Sequence, residues 1–181
     1  MPLAILLLIA STLPLAAQPA FERIDAHVHV APPPPAFIEM LDRLNVKLLN
    51  VTLIDPTAPG FDKPEPQTAW AIEIAQRSGG RIAWIAAMDP SGFESAEFAR
   101  QETERLGRSF ARGAVAVKIY KSVGMNIRSA SGKYLMPDDP SLSPVLQFIA
   151  AHWKSLLAHL GDPKSSWMPL DPRDAHYGYF K

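Results

Sequence analysis

Apolar residues in this chain come in short runs whose period switches between two and about 3.6. Residues 21–30 read as a strand, with Ala26, Val28 and Val30 on one face and His27 and His29 on the other. Four consecutive prolines, Pro32 to Pro35, stop that run. Phe37, Met40, Leu41 and Leu44 then recur at helical spacing, which predicts a helix over 36–44. Residues 46–54 form a continuous β-branched and apolar run ended by Asp55-Pro56, the pattern of a buried strand.

The alternation continues. A helix is predicted over 68–77, closed by Ser78-Gly79-Gly80, and a third strand over 81–88, closed by Asp89-Pro90. Further along, 94–106 reads as a helix, 113–120 as a strand, 142–152 as a helix and 155–160 as a short fifth strand. Residues 167–181 are rich in aromatics, proline and aspartate and show no clear element.

Strands separated by helices need crossover connections, so the sheet is expected to be parallel. Parallel βα repeats with long loops after each strand fit a (β/α)8 TIM barrel, in which chemistry gathers at the C-terminal strand ends. His27, His29, Asp55, Asp89, Lys118 and His159 all fall at or near such ends. An open doubly wound sheet is the alternative, but no Gly-x-Gly-x-x-Gly follows the first strand. The expected class is therefore α/β: a partial barrel holding about the first five βα units. A closed barrel needs eight strands, so residues 18–181 read as the N-terminal portion of a barrel domain in a longer protein.

Composition narrows the function. The chain has 181 residues, with 18 basic and 18 acidic side chains and no cysteine. That balance gives no electrostatic footprint for nucleic acid, and the lack of cysteine removes disulfides and thiolate metal sites. Residues 1–17 hold an apolar core of about ten residues ending in small ones, the shape of a signal peptide cleaved after Ala17. No lysine or arginine precedes that core, and a buried apolar strand or uncleaved anchor is the competing reading. The expectation is export, to a periplasm or the exterior, with no membrane partner after cleavage.

His27 and His29 are the first candidate chemistry. Two imidazoles on one face of a strand end can hold one divalent metal, and neutral imidazole suits zinc and its first-row neighbours. A strand with two partly exposed histidines is the plainer account. Asp162 follows the fifth strand closely and is a candidate to orient His159 through a hydrogen bond. His152 and His176 read as surface histidines. Trp167, Tyr177 and Tyr179 read as loop packing that could also border a substrate mouth.

Taken together, His27-Val-His29, the segment Val115-Ala-Val-Lys118-Ile-Tyr and Leu157-Ala-His159-Leu-Gly-Asp-Pro163 resemble the amidohydrolase superfamily. Within it, the chain is most similar to the amidohydrolase-related group of predicted metal-dependent TIM-barrel hydrolases, and it looks like an N-terminal fragment of one. The resemblance implies that His27 and His29 bind the more buried metal. It implies that Lys118, ending the fourth strand, can be carboxylated and bridge two metals, and that His159 binds the second. The physics is consistent: a lysine near cations has a depressed pKa, and its carbamate is an anionic oxygen ligand. Lys121 competes with Lys118 for that role, and a salt-bridging lysine or a core histidine is the plain alternative for Lys118 and His159.

Family members also take a histidine from the sixth strand and a proton-accepting aspartate from the eighth, and neither strand lies within these residues. The implied ligand set is thus His27, His29, Lys118 and His159, with no catalytic base in this chain. The implied cofactor is one or two divalent ions, zinc before others. The implied activity is hydrolysis of a C–N or ester/lactone bond in a small-molecule substrate by metal-activated water. A metal-dependent decarboxylase of the same superfamily is one alternative; an inactive truncated copy or binding fragment, open to homo-oligomer formation, is the other.

Overall fold

The computed structural model describes residues 21–174 and 177–180. Expectations placed on residues 1–17 and His176 therefore lie outside the described residues. Five strands form one parallel sheet in the order β1-β2-β3-β4-β5: β1 (Arg23–Val28), β2 (Val46–Val51), β3 (Ile82–Ala87), β4 (Ala116–Ile119) and β5 (Ser155–Ala158). Helices α1 (Pro35–Leu44), α2 (Glu65–Arg77), α3 (Phe98–Ala111) and α5 (Ser143–Ala151) alternate with them. The sheet curls into a half-barrel, as the alternation predicted.

Side-chain parity divides the core in two. On the convex face, Trp84, Ala86, Val117 and Ile119 pack with Leu106, Val145 and Ile149 of the helices. Leu48 and Ile82 join Leu41 and Ile74 in a second cluster on that side. The concave face carries only Val51, Ile85 and Ala116, with Leu49 and Leu157 beside them. Alternate positions of all the strands fill a closed barrel, so five strands supply a small concave core. Burial follows position in the sheet: β4 is buried along its length, whereas β1 and β5, the two edges, are exposed along most of theirs.

Several boundaries moved, each for a local reason. α2 begins at Glu65, three residues before the predicted start, because Pro66 occupies the first turn, where a missing N–H is harmless. α3 runs over Phe98–Ala111 instead of 94–106, since turns occupy the stretch before it. It continues past Gly107 because Phe110 stacks on Phe148 of α5 at 5.9 Å. β2 stops at Val51; beyond it, the Leu53 N–H turns to the Gln67 side chain at 3.2 Å.

Two regions read as loop or tail carry structure. A kinked helical turn, α4 (Ser122–Met125), follows β4, and its Gly124 sits at φ 97°, in the left-handed region that glycine tolerates. In the tail, a 3-10 turn covers Lys164–Trp167 and a short helix, α6, covers Tyr177–Phe180.

One buried ion pair clamps β3 to α3. Glu102 and Arg105, with side chains 4% and 19% exposed, lie 2.7 Å apart. Glu102 also accepts the Asp89 N–H at 3.0 Å, and Arg105 donates to the Ala87 carbonyl. Burial opposes the Arg105 charge, but the hydrogen bond and charge of Glu102 outweigh it and hold the guanidinium above its ordinary pKa. The C-terminal end of β3 is thereby fixed.

Candidate metal and substrate site

The site starts from an irregularity in β1. Asp25 stands opposite Leu48 and Val28 opposite Asn50, so three steps along β1 match two along β2. At this bulge the His27 N–H turns to the Asp25 side chain, at 3.1 Å, instead of to β2. Val28 and Val30 pack on the helix side with Leu41 and Leu48. His27 and His29 both line one cleft, with ring centroids 5.3 Å apart and planes at 71°. Their shared face, expected from strand alternation, is present at this end of β1.

Backbone contacts hold the pair in place. Val51 C=O accepts a hydrogen bond from His29 Nδ1 at 2.8 Å. A carbonyl only accepts, so Nδ1 carries a proton, and in the neutral ring the other nitrogen is the one left to coordinate. Just beyond, the Asn50 amide grips both backbone groups of Val30: its oxygen accepts the N–H at 2.9 Å and its nitrogen donates to the C=O at 3.3 Å. This side chain extends the β1–β2 ladder past its last strand residue. The sequence reading passed over Asn50; the signal was one amide inside an otherwise apolar run.

The cleft has a volume of about 530 Å³ and lies at the C-terminal ends of the strands. His159, half-buried just past β5, and Tyr120, just past β4, line it with their rings perpendicular at 5.7 Å. Lys121 and Asp162 form an ion pair at its rim. The hydrogen-bond partner of Asp162 is thus Lys121, which corrects the expectation that Asp162 orients His159. The reason is charge: an ammonium within reach outcompetes a neutral imidazole for a carboxylate. Asp162 acts on His159 only through its field.

Asp55, given no role from sequence, is another cleft residue, only 7% exposed. Its Oδ1 accepts the N–H and hydroxyl of Thr57 at 3.0 and 2.6 Å, so the turn after β2 fixes this carboxylate on the cleft wall. Asp89, the other aspartate at a strand end, is engaged with Ser91 and Glu102 and does not line the cleft.

Lys118 lies in β4, opposite Ala87 and Leu157 of its neighbours, and is 1% exposed. Its Nζ is buried and has no hydrogen-bond partner. Burial therefore lowers the Lys118 pKa from its ordinary value. The His27 pKa is lowered by burial and then by the charges of Lys118, His29 and His159, with Asp25 opposing. That of His159 is lowered by burial, Lys118 and Lys121, against Asp162 and a hydrogen bond to the Gly161 backbone. These mutual effects place Lys118 within electrostatic reach of both histidines. The shifts of His27, His159 and Lys118 all run towards the neutral form, the direction that metal coordination favours. Among the described residues, however, no three His, Asp or Glu side chains converge closely enough to hold an ion.

The remaining candidates lie elsewhere. His152 donates from Nδ1 to the Phe148 carbonyl at 2.8 Å and packs on the Phe148 ring at 4.1 Å, an outer-surface role. Trp167 is 67% exposed and lines none of the cleft.

No family model matches the chain, and no curated protein matches it. Among solved structures it is similar to a probable 2-pyrone-4,6-dicarboxylic acid hydrolase from Acinetobacter baumannii, solved with citric acid bound. The identity is 20% and the TM-score 0.48, over 80% of this chain and 51% of the other. This chain spans about half the length of that structure.

Proposed function

We propose that the cleft belongs to a metal-dependent hydrolase of amidohydrolase type, acting on a C–N or ester/lactone bond of a small molecule. One observation carries the reading. A lysine ammonium is costly to enclose without a partner, yet Lys118 Nζ is enclosed within electrostatic reach of His27 and His159. In its neutral form such an amine can add to carbon dioxide, releasing a proton to solvent and leaving an anionic carbamate whose charge a divalent ion would offset and whose two oxygens could coordinate that ion.

His27, His29 and the Lys118 carbamate would then hold a divalent ion, zinc by donor chemistry, with His159 serving a second ion. The three histidines do not converge by themselves, so the modified lysine is what completes the donor set. A bound ion supplies Lewis acidity, polarising a carbonyl and acidifying water. The chain's own residues do the rest. The Val51 carbonyl fixes the His29 tautomer, and the Lys121–Asp162 pair braces the rim beside His159. Asp55 presents a fixed carboxylate to whatever enters.

The related decarboxylase reading needs one metal and no carbamate, and the enclosed amine favours the hydrolase over it. Export is part of the proposal, with residues 1–17 as the removed signal.

The test is zinc content. Wild-type protein purified in the presence of bicarbonate should carry zinc, and the double variant His27→Ala/His29→Ala should lose it. Unchanged zinc in that variant sinks the reading.

A further inference from the structure

Beside the cleft lies a second, larger cavity of about 860 Å³. It sits between the ends of β1 and β2 and the start of α2, and His29, Leu53 and Phe61 line both spaces. Its size falls within the range of roughly 300–1,000 Å³ typical of small-molecule sites.

The chemistry of its walls is selective. Several of the polar groups at its base are already engaged within the protein. Asn50 holds Val30 through both amide atoms. The Thr52 hydroxyl donates to the Ile85 carbonyl at 2.9 Å and accepts the Ala87 N–H at 2.9 Å. The Gln67 oxygen accepts the Leu53 N–H. Asp62 and Lys63, the charged lining residues, are of opposite sign and leave no net charge. Much of the remaining lining is apolar, including Phe61 and Trp70, which stay 45% and 49% exposed. Apolar side chains left exposed together around one concave surface are a feature of ligand-binding grooves.

We propose that this cavity takes the uncharged apolar part of the substrate, an aryl or branched alkyl group, while the bond to be cut lies in the adjoining cleft. Continuity through His29, Leu53 and Phe61 is what links the two. The location of the cut bond rests on the hydrolase reading; the cavity's preference for an uncharged apolar group is tested without it.

The experiment is a fluorine NMR titration of the full chain with 4-fluorobenzyl alcohol, with 4-fluorobenzoate and 4-fluorobenzylamine as charged counterparts. The alcohol should bind with a Kd on the order of 1 mM, the range open to so small a ligand. Both charged probes should bind several-fold more weakly. Trp70→Ala and Phe61→Ala should each weaken the alcohol at least fivefold. Both side chains are half-exposed, so circular dichroism should report an intact fold for each variant. Trp167→Ala, outside the cavity, should bind like wild type. Absence of binding to wild type, or unchanged affinity in both cavity variants, overturns the proposal, as does equal affinity for the three probes. Zinc content of His27→Ala/His29→Ala reports on the hydrolase reading separately, since neither imidazole deletion removes the aromatic walls.

Discussion

Lys121 and Asp162 lie 41 residues apart in sequence and meet as an ion pair across the rim of the cleft, each side chain about one-fifth exposed. They tie the segment after β4 to the segment after β5, the two pieces that carry Tyr120 and His159. The contact is intermediate between a surface pair, worth little, and a buried one, where losing a single partner is costly. A double-mutant cycle with Lys121→Met and Asp162→Asn, followed by urea unfolding, should give a coupling energy of about 1 kcal/mol. Zero coupling would mean that the rim is held by its backbone alone.

Lys118→Met replaces an enclosed, unpartnered amine by an apolar side chain of similar length. In protein stripped of metal by a chelator, this substitution should raise stability by roughly 1–3 kcal/mol, because a desolvated polar group is removed. The same variant should fail to retain zinc. Destabilisation of the stripped protein would show that Nζ has a favourable environment in solution, and the carbamate argument would lose its basis.

Asn50→Leu leaves both the N–H and the C=O of Val30 without their side-chain partner. A cost of about 1–3 kcal/mol in urea unfolding is expected. Since Val30 directly follows His29, zinc affinity measured by chelator competition should fall by roughly tenfold, the lower end for groups that orient a ligand. Asn50→Asp, which keeps the acceptor for the Val30 N–H, should lie between. Equal zinc affinity in all three proteins would detach this residue from the site.

Much of the architecture was legible in the sequence because period and punctuation are local properties. The switch from period two to 3.6, with Gly-Gly, Asp-Pro and the four prolines as stops, placed five strands and their helices and made the sheet parallel. His27 and His29 could be put on one face because alternation follows from strand geometry. Lys118 could be placed at the end of β4, and its burial goes with that strand's interior place between β3 and β5. Boundaries were less legible: Pro66 inside the first turn of α2 and Phe110 stacking across to α5 extended helices beyond their apparent signals.

Only the tertiary structure decided the partners. Asp162 is close to His159 in sequence, yet it pairs with Lys121, because the fold brings an ammonium to it that local spacing cannot reveal. The bulge between Asp25 and Val28 and the Asn50 grip on Val30 depend on neighbouring chain segments. The same holds for the cavity beside His29, which Phe61 of the β2–α2 loop and Trp70 of α2 form with the ends of two strands. The sequence determined which residues would stand at the strand ends, since that depends on each segment alone. Which of them meet, which are satisfied and which stay unpartnered were set by the curl of the sheet, which joins segments far apart in the chain.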